Sequence, residues 1–417
     1  MSTPQVISTT TTPTTAIGRS RIVLKLSATK STHSADSMMT IDTRSRNPCL
    51  KAEQCDLDAV DLRVITAINE GEVRHMDIED IIGEEALWES MMKCKKGVMW
   101  KDSVAHFVLN GIKEVKKLSD ELHNETYTER KPKYFTVTSP KRREIMSISF
   151  RDRVFQRSLN DVAVYPAMVK SFIYDNAACQ KDKGTDFARN RLKCHLQRFY
   201  RKHGKNGYVL KLDIKGYYPN MRHDIVMNVF RKHLDDATWN FAKKVLSNFP
   251  GEIGFNPGSQ IIQIAGISVL NDLDHFIKER LRAKGYVRYM DDMLLIGESE
   301  SELLQFKAQI DKKLNEIGFE LHPKKSVIIP LSKEVMFLGF EFRLTDTGKV
   351  IMTVDPNRVK AERRKLFRLV RLAKDGVLTR DKVDQCYQSW RSHVEKGNSW
   401  HLLQRMDKYY NELWRQD

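Results

Sequence analysis

The sequence predicts an α/β fold of the α+β kind, an antiparallel sheet backed by helices with a helical C-terminal end. Three observations carry that expectation. Apolar residues recur at helical spacing over long stretches, and short apolar runs bounded by Gly, Pro, Asn and Asp lie between them. Residues 357–414 are helical in pattern and rich in Lys and Arg. At 417 residues the chain exceeds one minimal core, and its 41% hydrophobic content supports a buried interior.

The elements follow in order. Residues 1–58 form a Ser/Thr-rich tail with no acid before Asp36. Its composition loosely resembles an organelle transit peptide and reads as a disordered tail. Residues 59–130 are a helical N-terminal extension. Val60, Leu62, Val64, Ile65 and Ile68 open it, and Val104, Phe107, Val108, Ile112, Val115 and Leu118 are expected to share one helix face. Within 131–206, extended segments over 131–148 flank Pro140-Lys141-Arg142-Arg143, and helices follow at 153–164 and 185–203. Residues 207–355 carry the sheet. A strand at 208–213 and a helix at 222–234 lead to a loop at 254–258 and one long helix over 259–282. A hairpin over 286–296 turns at Met290-Asp291-Asp292. A helix at 300–317, a strand at 326–329 and a second hairpin over 335–354, turning at Asp346-Thr347-Gly348, complete the unit. Helices at 357–374, 379–395 and 400–414 fill the last unit, 356–417. No internal repeat is present.

Lys and Arg number 70 against 54 Asp and Glu, a net charge of +16, which points to a polyanionic partner and most simply to nucleic acid. The six cysteines form neither a C-x-x-C pair nor a zinc-finger set and read as reduced, mostly buried thiols of a cytoplasmic protein. The apolar stretch 261–270 is interrupted by Gln263 and Gly266 and is too short to span a bilayer, so no membrane partner is expected.

The chemistry concentrates in acids. Asp213 ends a strand, and Asp291 and Asp292 sit at a hairpin turn about eighty residues later. If the two elements pair in one sheet, the three carboxylates converge at its edge. Crowded carboxylates repel, so such a cluster favours bound cations. Nucleotidyl transfer has this requirement: two divalent metals roughly 3.5–4 Å apart activate a 3′-hydroxyl and stabilise the leaving pyrophosphate. Mg²⁺ takes oxygen ligands and keeps waters, so few carboxylates suffice. Two Mg²⁺ ions are therefore expected, with Mn²⁺ as a substitute.

Tyr289-Met290-Asp291-Asp292 resembles motif C of reverse transcriptases, and Leu212-Asp213-Ile214-Lys215-Gly216-Tyr217-Tyr218 resembles their motif A. The resemblance covers roughly residues 131–417 and is closest to the bacterial non-retroviral enzymes: group II intron, retron, diversity-generating and phage-defence types. It implies a right-hand polymerase with fingers (131–206), palm (207–355) and thumb (356–417). It implies a reaction adding deoxynucleotides to a DNA or RNA primer on an RNA template, in some relatives with a dedicated non-coding RNA. Asp213 and Asp291 then bind both metals and Asp292 supports them.

The resemblance extends to other segments. Tyr218 stands where the family has its steric gate against the ribose 2′-hydroxyl, with Tyr217 as core. Arg143 resembles the fingers residue that grips the triphosphate, with Lys141 a second grip. Residues 254–263 resemble motif B, with Gly258 and Gln263 beside the nascent pair. The usual Pro-Gln-Gly is here Asn256-Pro257-Gly258, which leads to an expectation of error-prone copying. Lys325 resembles the motif D lysine that protonates pyrophosphate, with Lys324 in the adjacent register. Phe337-Leu338-Gly339-Phe340 resembles motif E, and the basic helix with Lys360, Arg363, Arg364, Lys365, Arg368 and Arg371 resembles a thumb that holds duplex phosphates. Asp152 is expected to pair locally with an arginine, and His223 and His275 to be structural. Two other readings stay open: an RNA-dependent RNA polymerase on the same palm, and a nucleic-acid-binding scaffold with a vestigial site.

Overall fold

The computed structural model describes residues 77–138 and 142–415. The expected tail, the apolar positions from Val60 to Ile68, and Lys141 lie outside the described residues. The N-terminal layer consists of α1 (Glu79–Ile82), α2 (Glu84–Cys94), α3 (Asp102–Leu109) and α4 (Gly111–His123). The single helix face expected from Val104 to Leu118 is divided. Asn110 leaves helical geometry at φ −98° and ψ 23°, and the chain restarts at Gly111. Gly111 packs so closely on Trp88 that a Cβ there would lie 3.0 Å from its ring. Val104, Phe107, Val115 and Leu118 are buried, but the restart turns Ile112 outward, 78% exposed.

Next, β1 (Lys133–Val137) and β2 (Arg143–Ser147) pair as an antiparallel ribbon, Lys133 opposite Ser147. Every residue of β1 is exposed. Ser149 caps α5 (Phe150–Leu159) by accepting the Asp152 amide, while its hydroxyl donates to the Asp152 carboxylate at 2.7 Å. The helix widens into a π turn over Asn160–Val164, continues as α6 (Tyr165–Val169), and is followed by α7 (Thr185–His203).

The central unit contains β3 (Tyr208–Leu212), α8 (His223–His233), α9 (Asp236–Leu246), α10 (Gln260–Ser268), α11 (Asn271–His275), β4 (Gly285–Tyr289), β5 (Asp292–Gly297), α12 (Glu300–Glu316) and β6 (Val327–Pro330). The four strands form one sheet, β4-β5-β3-β6, with every neighbouring pair antiparallel. Its two faces are buried differently. Leu210, Leu212, Tyr286, Met293 and Leu295 join the helical core, while Val209, Val287, Leu294 and Ile296 join α7 residues and a second sheet. This alternation along each strand follows from the period-two pleat. The long helix expected over 259–282 is broken after Ser268. The Ser268 hydroxyl turns back onto the Ile264 carbonyl at 2.7 Å, and Leu270 sits at φ −94°, ψ 6° before the chain resumes.

The second sheet has three strands: β7 (Val335–Phe337), β8 (Phe340–Leu344) and β9 (Val350–Val354). The expected hairpin thus gains a turn, because Leu338 and Gly339 both take positive φ, 45° and 90°. α13 (Pro356–Lys374), α14 (Arg380–Val394) and α15 (Trp400–Arg415) close the chain around Leu366, Val370, Tyr387, Met406 and Tyr410. Among the described residues, Cys94, Cys179 and Cys194 are half-buried and Cys386 is exposed, none in a disulfide, so these four thiols are less buried than expected. Among the described residues, no helix is long and apolar enough to cross a membrane.

Candidate active site

The three acids meet at one end of the four-stranded sheet. β3 runs antiparallel to β5 with Leu212 opposite Met293, which places Asp213 beside the start of β5 and so near Asp292. Three bonds fix the Asp213 backbone: its amide donates to Ser326 Oγ at 3.3 Å, and its carbonyl accepts that hydroxyl at 3.2 Å and the His322 amide at 2.7 Å. Tyr289 pairs with Asp292, leaving Met290 and Asp291 as a tight turn, and Met290 is held at φ +56°, unusual for a residue with a side chain.

The electrostatics follow from this crowding. Burial pushes the Asp291 carboxyl up to about 6, with the charges of Asp292 and Asp213 adding to the effect and Lys325 opposing it. Burial also raises Asp292, against the pull of Lys211. Asp213 is engaged by Lys325, whose ammonium donates to Oδ2 at 2.8 Å. Lys324 is exposed, and its backbone amide donates to His322 Nδ1 at 3.3 Å. The acids thus share an electrostatic site, although no group of three or more His, Cys, Asp and Glu among the described residues is drawn into one coordination sphere. The donor chemistry is that of a hard divalent cation: carboxylate oxygens only, partly buried, with mutual repulsion that added positive charge relieves.

Tyr217 is core, 4% exposed, its hydroxyl donating to the Gly266 carbonyl. Tyr218 packs over the same residue, so a Cβ at Gly266 would lie 2.7 Å from the Tyr218 hydroxyl. That hydroxyl is buried with no hydrogen-bond partner. Burial, then the nearby Cys179 and Asp291, raises its pKa. Gln263, half-buried on α10, places Oε1 3.9 Å from Cys179 Sγ. Gly258 abuts the ribbon: a Cβ there would come within 2.7 Å of the Met146 carbonyl.

Arg143 begins β2 opposite Val137 and is exposed, as is Arg142. Asp152, 1% exposed, accepts from Tyr127, the Arg130 amide and Arg151, the last at 3.1 Å, so it serves the fold. His223 and His275 hydrogen-bond the carbonyls of Gly254 and Ser171, both at 2.8 Å. A Cβ at Gly339 would come within 2.9 Å of the Arg358 guanidinium on α13. Lys360, Arg363, Arg364, Arg368 and Arg371 are exposed along α13, while Lys365 pairs with Glu362 at 3.1 Å.

Three features at the site were missed in the sequence. Gly266 is needed for the Tyr218 ring, Cys179 borders the same space, and Arg288 is fully buried against Asp274. Only Arg288 left a signal, a charged residue at an inward position of an otherwise apolar strand.

Residues 130–342 match the family described as Reverse transcriptase (RNA-dependent DNA polymerase). No curated protein sequence matches the chain. Among solved structures, it is similar to telomerase from Candida albicans in complex with a TWJ fragment of telomeric RNA, at 13% identity and a TM-score of 0.42, covering 69% of this chain and 55% of that one. It is also similar to apo telomerase from Candida tropicalis, at 12% identity and a TM-score of 0.40, covering 54% and 48%. A form of the latter lacking its C-terminal domain gives 13% identity and a TM-score of 0.39, covering 60% of each chain. The chain thus spans about half to three fifths of the length of these structures.

Proposed function

The chain belongs to the reverse transcriptase (RNA-dependent DNA polymerase) family, and from that premise we propose that it extends a DNA or RNA primer with deoxynucleotides on an RNA template. The fold is the right-hand polymerase fold. In this reading residues 131–206 serve as fingers, 207–355 as palm and 356–417 as thumb. The observation that carries the proposal is the register of β3 against β5, which brings Asp213, Asp291 and Asp292 to one end of one sheet.

Asp213 and Asp291 would hold two Mg²⁺ ions, or Mn²⁺, with Asp292 in support. When bound, the metals supply Lewis-acid chemistry for attack by the primer 3′-hydroxyl and departure of pyrophosphate. The chain's own residues do the rest. The Lys325 ammonium stands 2.8 Å from Asp213 and is held protonated by it, in reach of the acids and suited to give a proton to the leaving group. The Tyr218 ring walls the space where a 2′-hydroxyl would lie. Arg143, on the exposed ribbon, binds the triphosphate, with Lys141 as a second grip. Gly258 and Gln263 border the template side, and the departure at Pro257 favours error-prone copying. The α13 cations hold the duplex through its phosphates.

The biological setting we propose is that of a bacterial, non-retroviral enzyme paired with a non-coding RNA, most simply in cytoplasmic phage defence. The extension over residues 59–130 is then a surface for RNA or partner recognition.

The test is primer extension by the full-length protein with Mg²⁺ on an RNA template with a DNA primer. Deoxynucleotides and ribonucleotides are supplied separately, with Asp291→Ala as control. Extension by deoxynucleotides only, lost in the variant, supports the proposal. Equal use of ribonucleotides indicates an RNA polymerase. Binding without turnover, even with RNA co-purified from the native host, indicates a scaffold.

A further inference from the structure

Arg288 is the largest side chain with no exposure among the described residues, and Asp274, its partner, is equally buried. The guanidinium donates through Nε to Asp274 Oδ1 at 2.7 Å and through Nη2 to Oδ2 at 2.5 Å. Two further bonds go to backbone: Nη1 reaches the Met290 carbonyl at 3.1 Å and Nη2 the Ile267 carbonyl at 2.9 Å. Asp274 also accepts the Tyr286 hydroxyl at 2.7 Å. The Arg288 backbone is itself fixed, its amide on the Asp175 carbonyl at 3.1 Å and its carbonyl on the Ala177 amide at 2.9 Å.

Stability alone does not explain this pair. An apolar pair of similar volume commonly stabilises a core as well as a buried ion pair does. A rigid planar fork does something an apolar pair cannot: it spans a carboxylate and two carbonyls at once. The two carbonyls chosen are informative. Met290 is the residue at φ +56° immediately before Asp291, a conformation that persists only where the surroundings hold it. Ile267 follows Gly266, the residue behind Tyr218. One side chain therefore ties the turn bearing Asp291 to the helix that backs the sugar-facing ring.

We infer that Arg288, clamped by Asp274, is a positioning residue that sets the Met290–Asp291 turn against α10 and so fixes Asp291 relative to Asp213 and Tyr218. The inference rests on the proposed reading in which Asp291 holds metal.

Two full-length variants test it: Arg288→Met combined with Asp274→Leu, which keeps an apolar filling, and Arg288→Lys, which keeps the charge without the fork. Three quantities are read: thermal unfolding, Mn²⁺ binding by electron paramagnetic resonance, and kcat with KM for one nucleotide addition. The double variant is expected to unfold within a few degrees of the parent protein. Its Mn²⁺ half-saturation should rise and its kcat fall, each by about 10- to 100-fold, the range for lost outer-shell support of a metal site. The nucleotide KM should stay within about threefold, since ground-state contacts are untouched. Parental Mn²⁺ binding and kcat in the double variant would overturn the inference and leave a purely structural pair. If the double variant does not fold, Arg288→Lys decides on the same quantities, with parental values again overturning it. A parent protein that never extends a primer, but whose Mn²⁺ affinity still falls in the variants, refutes the polymerase reading and leaves the positioning role standing.

Discussion

Two hairpins near the site are built in opposite ways. The β4–β5 hairpin that carries Asp291 and Asp292 is built into the four-stranded sheet through β5, which pairs with both β4 and β3, with Tyr286 and Arg288 unexposed and its turn bonded to a buried guanidinium. Among the described residues the β1–β2 ribbon that carries Arg143 pairs with no third strand, and Tyr134 and Phe135 on it are 56% and 51% exposed. A two-stranded ribbon is marginal on its own. The contrast fits a division of labour. Groups that hold metals must stay within about 0.5 Å of a productive geometry, which a buried frame provides. A group that greets and releases a triphosphate gains from a mobile mount.

The sharpest way to probe the rigid side is Tyr218→Ala. Removing the ring that packs on Gly266 should raise ribonucleotide use relative to deoxynucleotide use by about 10- to 100-fold, the range for a pocket that discriminates by shape. The ratio of kcat/KM values for the two sugars checks this, and an unchanged ratio removes Tyr218 from the gate role. On the exposed side, Arg143→Ala should raise the nucleotide KM by about tenfold if it removes a phosphate contact. Its melting temperature should shift by no more than about 1 °C, because Arg143 is exposed. A large loss of stability instead would make the ribbon part of the rigid frame and erase the contrast.

Further out, Arg364→Gln and Arg368→Gln should each reduce the slope of log affinity against log salt for duplex binding by about 0.9, if each neutralises one phosphate. Unchanged slopes would place the duplex on another face of α13.

The smallest effect is a pH dependence of folding. Burial, with the Asp152 charge adding and hydrogen bonds from Gln156 and Asn248 opposing, pushes the Glu129 carboxyl up to about 7. The folded state then holds this proton more tightly than the unfolded chain. The contribution is full below the ordinary carboxylate range and is lost as pH rises through about 7. Glu129→Gln should therefore flatten the fall in stability between pH 5 and 8 by roughly 1–3 kcal/mol. Denaturant unfolding at both pH values measures it, and parallel curves for the two proteins would contradict it.

Much of this site was legible in the sequence because its signals are local. Asp213 ends an apolar run, and Asp291-Asp292 interrupts two such runs, so strand and turn chemistry alone placed them. The α7 boundaries were legible for the same reason, a long helical period between Gly184 and Gly204. What escaped was set by tertiary contact. Ile112 matches the apolar period yet points to solvent, because Gly111 must seat against Trp88. The apolar stretch beginning at 259 reads as one helix, yet Ser268 turns onto Ile264 and the chain bends. Leu338-Gly339 reads as strand, but its positive φ values make a turn. Arg288 and Asp274 lie on different elements, and no local pattern pairs them.

The central claim is that the acids at the end of this sheet perform nucleotidyl transfer. Single-nucleotide incorporation on an RNA template tests it most directly, comparing the parent protein with Asp291→Asn while duplex binding is followed by fluorescence anisotropy. The account predicts a rate lower by on the order of a thousandfold in the variant, several kcal/mol of lost transition-state stabilisation, with duplex affinity unchanged. Incorporation by the variant at the parental rate would contradict it.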